Sequence, residues 1–142
     1  MGAVTVDKNR MHGRITAITA AGVFMASLAA YLLTVSPTVC FWDCGEYTAS
    51  CHPLQIPHPP GNPLFIMLGR VASMALFFLR DFGLRLNLIS CVSSAFTAMF
   101  IYLIIVRAFV GWMGFPERAW QRFVVHVAGT TGGLYAAFGS TL

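Results

Sequence analysis

Long apolar runs separated by short polar stretches dominate the chain. Ile15–Val35 is free of charged residues, and Leu86–Val106 has Asn87 near its start and residues such as Cys91, Ser93, Ser94 and Thr97 as mild polar content. About 20 apolar residues suffice for a helix to cross a bilayer's hydrocarbon core, so both runs predict spanning helices. Leu64–Leu79 is shorter, opens after Pro63 (a residue suited to a first helical turn) and contains Arg70. Phe123–Leu142 is broken by His126 and by Gly129, Gly132 and Gly133. Small residues four apart, such as Gly129 and Gly133, let a neighbouring helix approach closely. The pattern predicts an all-α polytopic transmembrane protein with about four spanning helices. Its expected plan is a tail over 1–14, spans over 15–35, 64–79, 86–106 and 123–142, a loop over 36–63 and an interfacial connection over 107–122.

Composition strengthens this reading. Hydrophobic residues make up 57% of the chain and charged residues 10%, well below the roughly 25% charged of an average soluble domain. The net charge of +4 is not a nucleic-acid footprint, because the basic residues lie beside apolar runs, where they set topology or meet lipid headgroups. No nucleic-acid partner is expected. Lys8, Arg10 and Arg14 precede the first run, whereas 36–63 holds no Lys or Arg. The positive-inside rule therefore puts the N-terminus in the cytoplasm and the first loop outside it, in a periplasm or lumen. Arg80 and Arg85 agree with that topology; Arg107, Arg118 and Arg122 do not. The first run is longer than a signal-peptide core and ends in no small-residue cleavage site, so it reads as an uncleaved anchor. The chain stops at Gly139-Ser140-Thr141-Leu142, still in an apolar stretch, and is expected to be the N-terminal part of a larger protein.

The first loop carries the chemistry: Phe41-Trp42-Asp43-Cys44-Gly45-Glu46-Tyr47, then His52, then His58-Pro59-Pro60-Gly61-Asn62-Pro63. Asp43 and Glu46 are three apart, a spacing that shares a helical face. The same spacing is a capping box, with Asp43 as N-cap and Glu46 reaching back, so catalysis and capping both stand. A carboxylate shielded beside a membrane can also serve as a general base. The prolines after His58 fix the backbone and so hold its imidazole in place, either as a helix start or as a phosphate contact. Phe41 and Trp42 read as interfacial belt residues. Cys40, Cys44, Cys51, His52 and His58 match no common zinc spacing and no haem motif, so neither metal nor cofactor is expected. A disulfide among the three loop cysteines would leave one thiol over. Arg70 within an apolar run is costly and hence a functional candidate, or it snorkels to the interface. His126 reads as a satisfied bundle histidine.

Ser36-Pro37-Thr38-Val39, Phe41 to Glu46, His58 to Phe65 and Gly69-Arg70 together resemble the start of a family of polytopic membrane glycosyltransferases of GT-C type. That family, formerly of unknown function, includes the animal protein O-mannosyltransferase acting on plexin-type IPT domains. The resemblance implies a catalytic acid in the first outer loop and a polyprenyl-phosphate-linked sugar as donor, with mannose the candidate sugar. The acceptor it implies is a protein or glycan hydroxyl. On this likeness Asp43 is the base and Glu46 a second acid or its alternate; His58 and Arg70 are substrate-binding candidates for contact with the phosphate by their position in the chain, not by the likeness. Two other readings remain: a non-catalytic subunit of a larger membrane complex, and a small transporter component using Arg70, Asp43 and His126.

Overall fold

The structure is a computed structural model that describes residues 2–39, 43–59 and 62–139, with side chains from residue 10 onward. Among the described residues it is all helical. Helix α1 spans Gly2–Thr34, α2 Cys44–Cys51, α3 Pro63–Ala75, α4 Phe82–Met113 and α5 Ala119–Phe138.

Among the described residues, two helical stretches are long and apolar enough to cross a membrane, Arg10–Thr34 and Phe82–Met113. At 1.5 Å per residue, their 25 and 32 residues reach well past the roughly 30 Å hydrocarbon core. Helix α3 has only 13 residues, about 20 Å of rise, and stops at Ala75 short of the expected Leu79. Its end is set by Arg85, whose guanidinium donates to the carbonyls of Ser73 and Phe77 at 3.1 Å and of Leu79 at 2.8 Å. These oxygens would otherwise go unpaired as the helix stops. Helix α5 has 20 residues, enough for a span by length, but its first turn carries Gln121 and Arg122. The stretch read as a tail is helical within α1, and the expected connection is divided between the end of α4, a turn at Gly114 with φ +78° and the start of α5.

The chain forms two compact units, one from Met1–Ala30 with Ser93–Leu142 and one from Tyr31–Val92. In the first, α1, α4 and α5 bury Ala20, Val23, Ala98, Tyr102, Val106 and Val125. Gly129 and Gly133 make this possible: a Cβ on Gly129 would lie 2.9 Å from the Tyr102 ring, and one on Gly133 2.9 Å from the Ala98 carbonyl oxygen. The close approach expected of these glycines is what the helices use. His126 joins this core, its Nδ1 2.8 Å from the Tyr102 hydroxyl.

The second unit packs α2, α3 and the first turns of α4 around Cys51, Ile66 and Leu86. Here Gly69 is the close-packing position, since a Cβ on it would lie 2.7 Å from Cys51 Sγ and 2.9 Å from Leu86. Asp81 caps α4 by accepting the Leu84 amide at 2.9 Å. Asn87, two turns further on, donates to the carbonyls of Ser36 and Thr38 at 3.0 Å each and so ties the start of the first loop to α4.

Candidate active site

Every residue of this site belongs to the second unit. Helix α2 is closed by a backbone reversal in which the Gln55 amide donates to the Ser50 carbonyl at 3.0 Å while Leu54 takes φ +59°. A terminal bond of this kind satisfies a carbonyl that the ending helix leaves open. Beyond the reversal, the chain brings residue 58 back beside residue 46.

There, one carboxylate receives two bonds from one histidine. The His58 amide donates to Glu46 Oε1 at 2.7 Å, and His58 Nδ1 lies 2.6 Å from Glu46 Oε2. Both side chains stay nearly half exposed. The hydrogen bond from the ring, followed by the backbone bond, holds the Glu46 carboxyl below the usual carboxylate range. In return, hydrogen bonding to Glu46 and then its charge push the His58 imidazole above its ordinary value, with a smaller contribution from Asp43. Tyr47 packs edge-on against His58, with ring centroids 5.9 Å apart, and accepts a bond from Asn62 Nδ2 at 2.7 Å. Asn62 in turn precedes Pro63 at the start of α3, in the left-handed conformation at φ 39° that Asn tolerates better than most residues.

The capping box expected from Asp43 and Glu46 does not form. Asp43 stands at the N-cap of α2 but makes no side-chain cap hydrogen bond, and its backbone is already helical at φ −61°, ψ −16°. An N-cap that bonds its helix is normally extended. Glu46 cannot reach back because both its oxygens are engaged by His58. Asp43 is therefore left exposed, and among the described residues its carboxylate makes no hydrogen bond to cap α2. Arg70 lies two turns into α3, half-buried, and among the described residues its guanidinium bonds to neither Glu46 nor His58.

Beside the pair lies a cleft of about 550 Å³. Cys44, Tyr47 and Thr48 of α2, the Asn62–Phe65 start of α3, and Leu86, Asn87 and Ser90 of α4 line it. Tyr47 both lines the cleft and touches His58, so the two features adjoin. That size suits a small organic ligand, with apolar walls to bury it and a few polar groups to orient it. Tyr47, Asn62 and Asn87 were not singled out by the motif reading. The signal for Asn87 was its place as a lone amide near the start of an apolar run.

Cys44 and Cys51 are free thiols, so neither is bonded to the other. Cys51 is fully buried, and that burial pushes its thiol up. Cys40, the aromatic pair Phe41 and Trp42, the Pro60-Gly61 half of the proline turn, and Ser140 to Leu142 lie outside the described residues.

A family model described as the protein O-mannosyl-transferase TMEM260 N-terminal domain matches residues 43–142. The chain is 31% identical over 85 residues to the mouse protein O-mannosyl-transferase TMEM260, a match covering 60% of this chain and 12% of that protein. It is 29% identical over 82 residues to the Dictyostelium discoideum protein O-mannosyl-transferase tmem260, covering 57% of this chain and 10% of that protein. The matched segment is thus about a tenth of the length of these curated relatives. No solved structure matches the chain.

Proposed function

The chain belongs to the family of the TMEM260 N-terminal domain, and from that membership we propose that it forms the N-terminal part of a multi-pass GT-C glycosyltransferase. In this reading the enzyme transfers a sugar, mannose by analogy with the names of its relatives, from a polyprenyl-phosphate donor to a protein hydroxyl. The segments over 64–79, of which α3 covers Pro63–Ala75, and 123–142, into which α5 runs as far as Phe138, complete four spans in this reading, with the N-terminus cytoplasmic and the loop over 36–63 extracytoplasmic. Sugar transfer then takes place at the outer face of the membrane.

The observation that carries the proposal is the exposed, uncapped carboxylate of Asp43, three residues before the Glu46–His58 pair. Asp43 takes the acceptor hydroxyl's proton as its oxygen bonds to the anomeric carbon. The bond from that carbon to the phosphate oxygen breaks on the opposite face, and the lipid phosphate leaves with the electron pair. Such a displacement inverts the anomeric centre. It needs a base on one side and donors to the departing phosphate on the other. His58 and Arg70 are the donors in this scheme. Glu46, bound through both oxygens, is less available than Asp43 to act as base. The relatives' names give no support to a structural subunit or a transporter component.

The test is Asp43→Asn in the membrane-embedded protein, assayed with a polyprenyl-phosphate mannose donor and a protein acceptor rich in Ser and Thr. Transfer should fall by roughly 10²-fold or more, while the melting temperature holds because no cap bond is lost. Equal rates in wild type and Asp43→Asn would remove Asp43 from the chemistry. A wild-type protein that uses no lipid-phosphate sugar would refute the transferase reading itself.

A further inference from the structure

Glu46 is bonded in a way that a free catalytic acid would not be. Its two oxygens take the amide and the ring nitrogen of the same residue, at 2.7 and 2.6 Å. A carboxylate held at both oxygens has little left to offer an acceptor hydroxyl. What the arrangement does fix is the imidazole: with Nδ1 turned to Glu46, Nε2 is the nitrogen left for a ligand. Among the described residues Nε2 makes no hydrogen bond. The edge-on Tyr47 ring packs against the same imidazole, and the Asn62 bond to its hydroxyl anchors that ring to the start of α3. His58 is thereby oriented from two sides, although it sits in a loop.

We propose that Glu46 is a positioning residue for His58, not a second base, and that His58 Nε2–H donates to a phosphate oxygen of the ligand. The phosphate half rests on the glycosyl-transfer reading; the role of Glu46 does not. The pair carries little net charge, so its contribution is directional. Nε2 offers an N–H while the ring is protonated and a lone pair once it is not. Glu46, and secondarily Asp43, favour the protonated ring, and among the described residues they are the charged groups acting on it. Because the folded imidazole is raised, the donor is fully present at low pH and is lost as pH climbs through that raised value. A donor on a charged ring is shorter and about twice as strong as a neutral one.

The experiment is a pH titration of histidine side-chain ¹⁵N resonances for this chain in phosphatidylcholine nanodiscs, with His58→Gln assigning the signal. The wild-type His58 midpoint should lie above the ordinary value of about 6.5. Glu46→Gln, which keeps the shape but not the charge, should lower it, and Asp43→Asn should lower it less. A wild-type midpoint at or below the ordinary value would overturn the proposal even if Glu46→Gln fails to fold. An unchanged midpoint in a folded Glu46→Gln would do the same. For the ligand, inorganic phosphate added to these nanodiscs is compared with nanodiscs containing phosphatidic acid. A His58 shift with phosphatidic acid supports a lipid-borne phosphate; one with inorganic phosphate alone supports a phosphate site fed from solution. Either response should weaken about threefold or more in Glu46→Gln at neutral pH, as expected for loss of a charge-assisted bond. No response to either probe would remove the phosphate contact. Loss of transfer in Asp43→Asn tests the base separately, so failure of one reading does not hide failure of the other.

Discussion

Two aspartates sit at the heads of helices, and the difference between them shows how closely a side chain's work depends on one amide. Asp81 Oδ1 accepts the Leu84 amide at 2.9 Å, whereas Asp43 holds no amide of α2. Asp81→Ala should therefore destabilise the protein by about 1 kcal/mol, and Asp81→Asn should be nearly silent. Thermal melting in detergent would check this; a silent Asp81→Ala would deny the cap. Asp43→Ala should cost markedly less than Asp81→Ala in the same assay. The Asp43-x-x-Glu46 spacing was legible in the sequence, but its meaning was not, because a capping box and a Glu–His pair begin from the same residues. The choice depends on a reversal at Leu54, which takes φ +59° without being Gly or Asn. Nothing in that leucine advertises the turn, so the return of His58 to Glu46 could not be read from local pattern. The proline run after His58 did announce a rigid segment, and His58 was singled out on that basis.

Glycine at the scale of the helix shows both its uses. Gly133 of α5 faces the Ala98 carbonyl of α4, and that backbone oxygen cannot swing aside as a side chain would. Gly133→Leu should lower the melting temperature, with a cost of about 1–3 kcal/mol for overpacking. Gly111, also in α4, has nothing within 4 Å of its would-be Cβ. Gly111→Ala should be neutral or raise the melting temperature, since alanine favours helix by roughly 0.8–1 kcal/mol over glycine. Opposite signs from the two substitutions would confirm that α5 uses its small residues for packing; equal, small effects would turn that face toward lipid. This packing was legible because small residues at four-residue spacing have a direct steric meaning. The end of α3 was not. Apolar sequence continues through Phe77, Phe78 and Leu79, yet the helix stops at Ala75. The carbonyls freed there are taken by Arg85, six to twelve positions further on. A hydropathy pattern carries no trace of a bond that a later arginine will make.

For the molecule as a whole, the decisive question is which side of the membrane the site faces. Two stretches are long enough to span, and the loop between them carries Asp43, Glu46 and His58. Lys8, Arg10 and Arg14 lie before the first stretch, while 36–63 has no Lys or Arg. Moving basic residues across a bilayer is unfavourable, so this asymmetry argues for an extracytoplasmic loop. The loop thiols can report on it, and the structure separates them. Cys44 is half-buried and free, whereas Cys51 is fully buried with its thiol pushed up, so less of it is the reactive thiolate at neutral pH. In a Cys40→Ser background, a membrane-impermeant maleimide applied to intact cells should label Cys44 and leave Cys51 largely untouched. Cys44→Ser in that background should abolish most of the signal, which excludes Cys91 as its source. Labelling that appears only after permeabilisation would put the loop in the cytoplasm. The Glu46–His58 pair would survive that result, but transfer at the outer face would not.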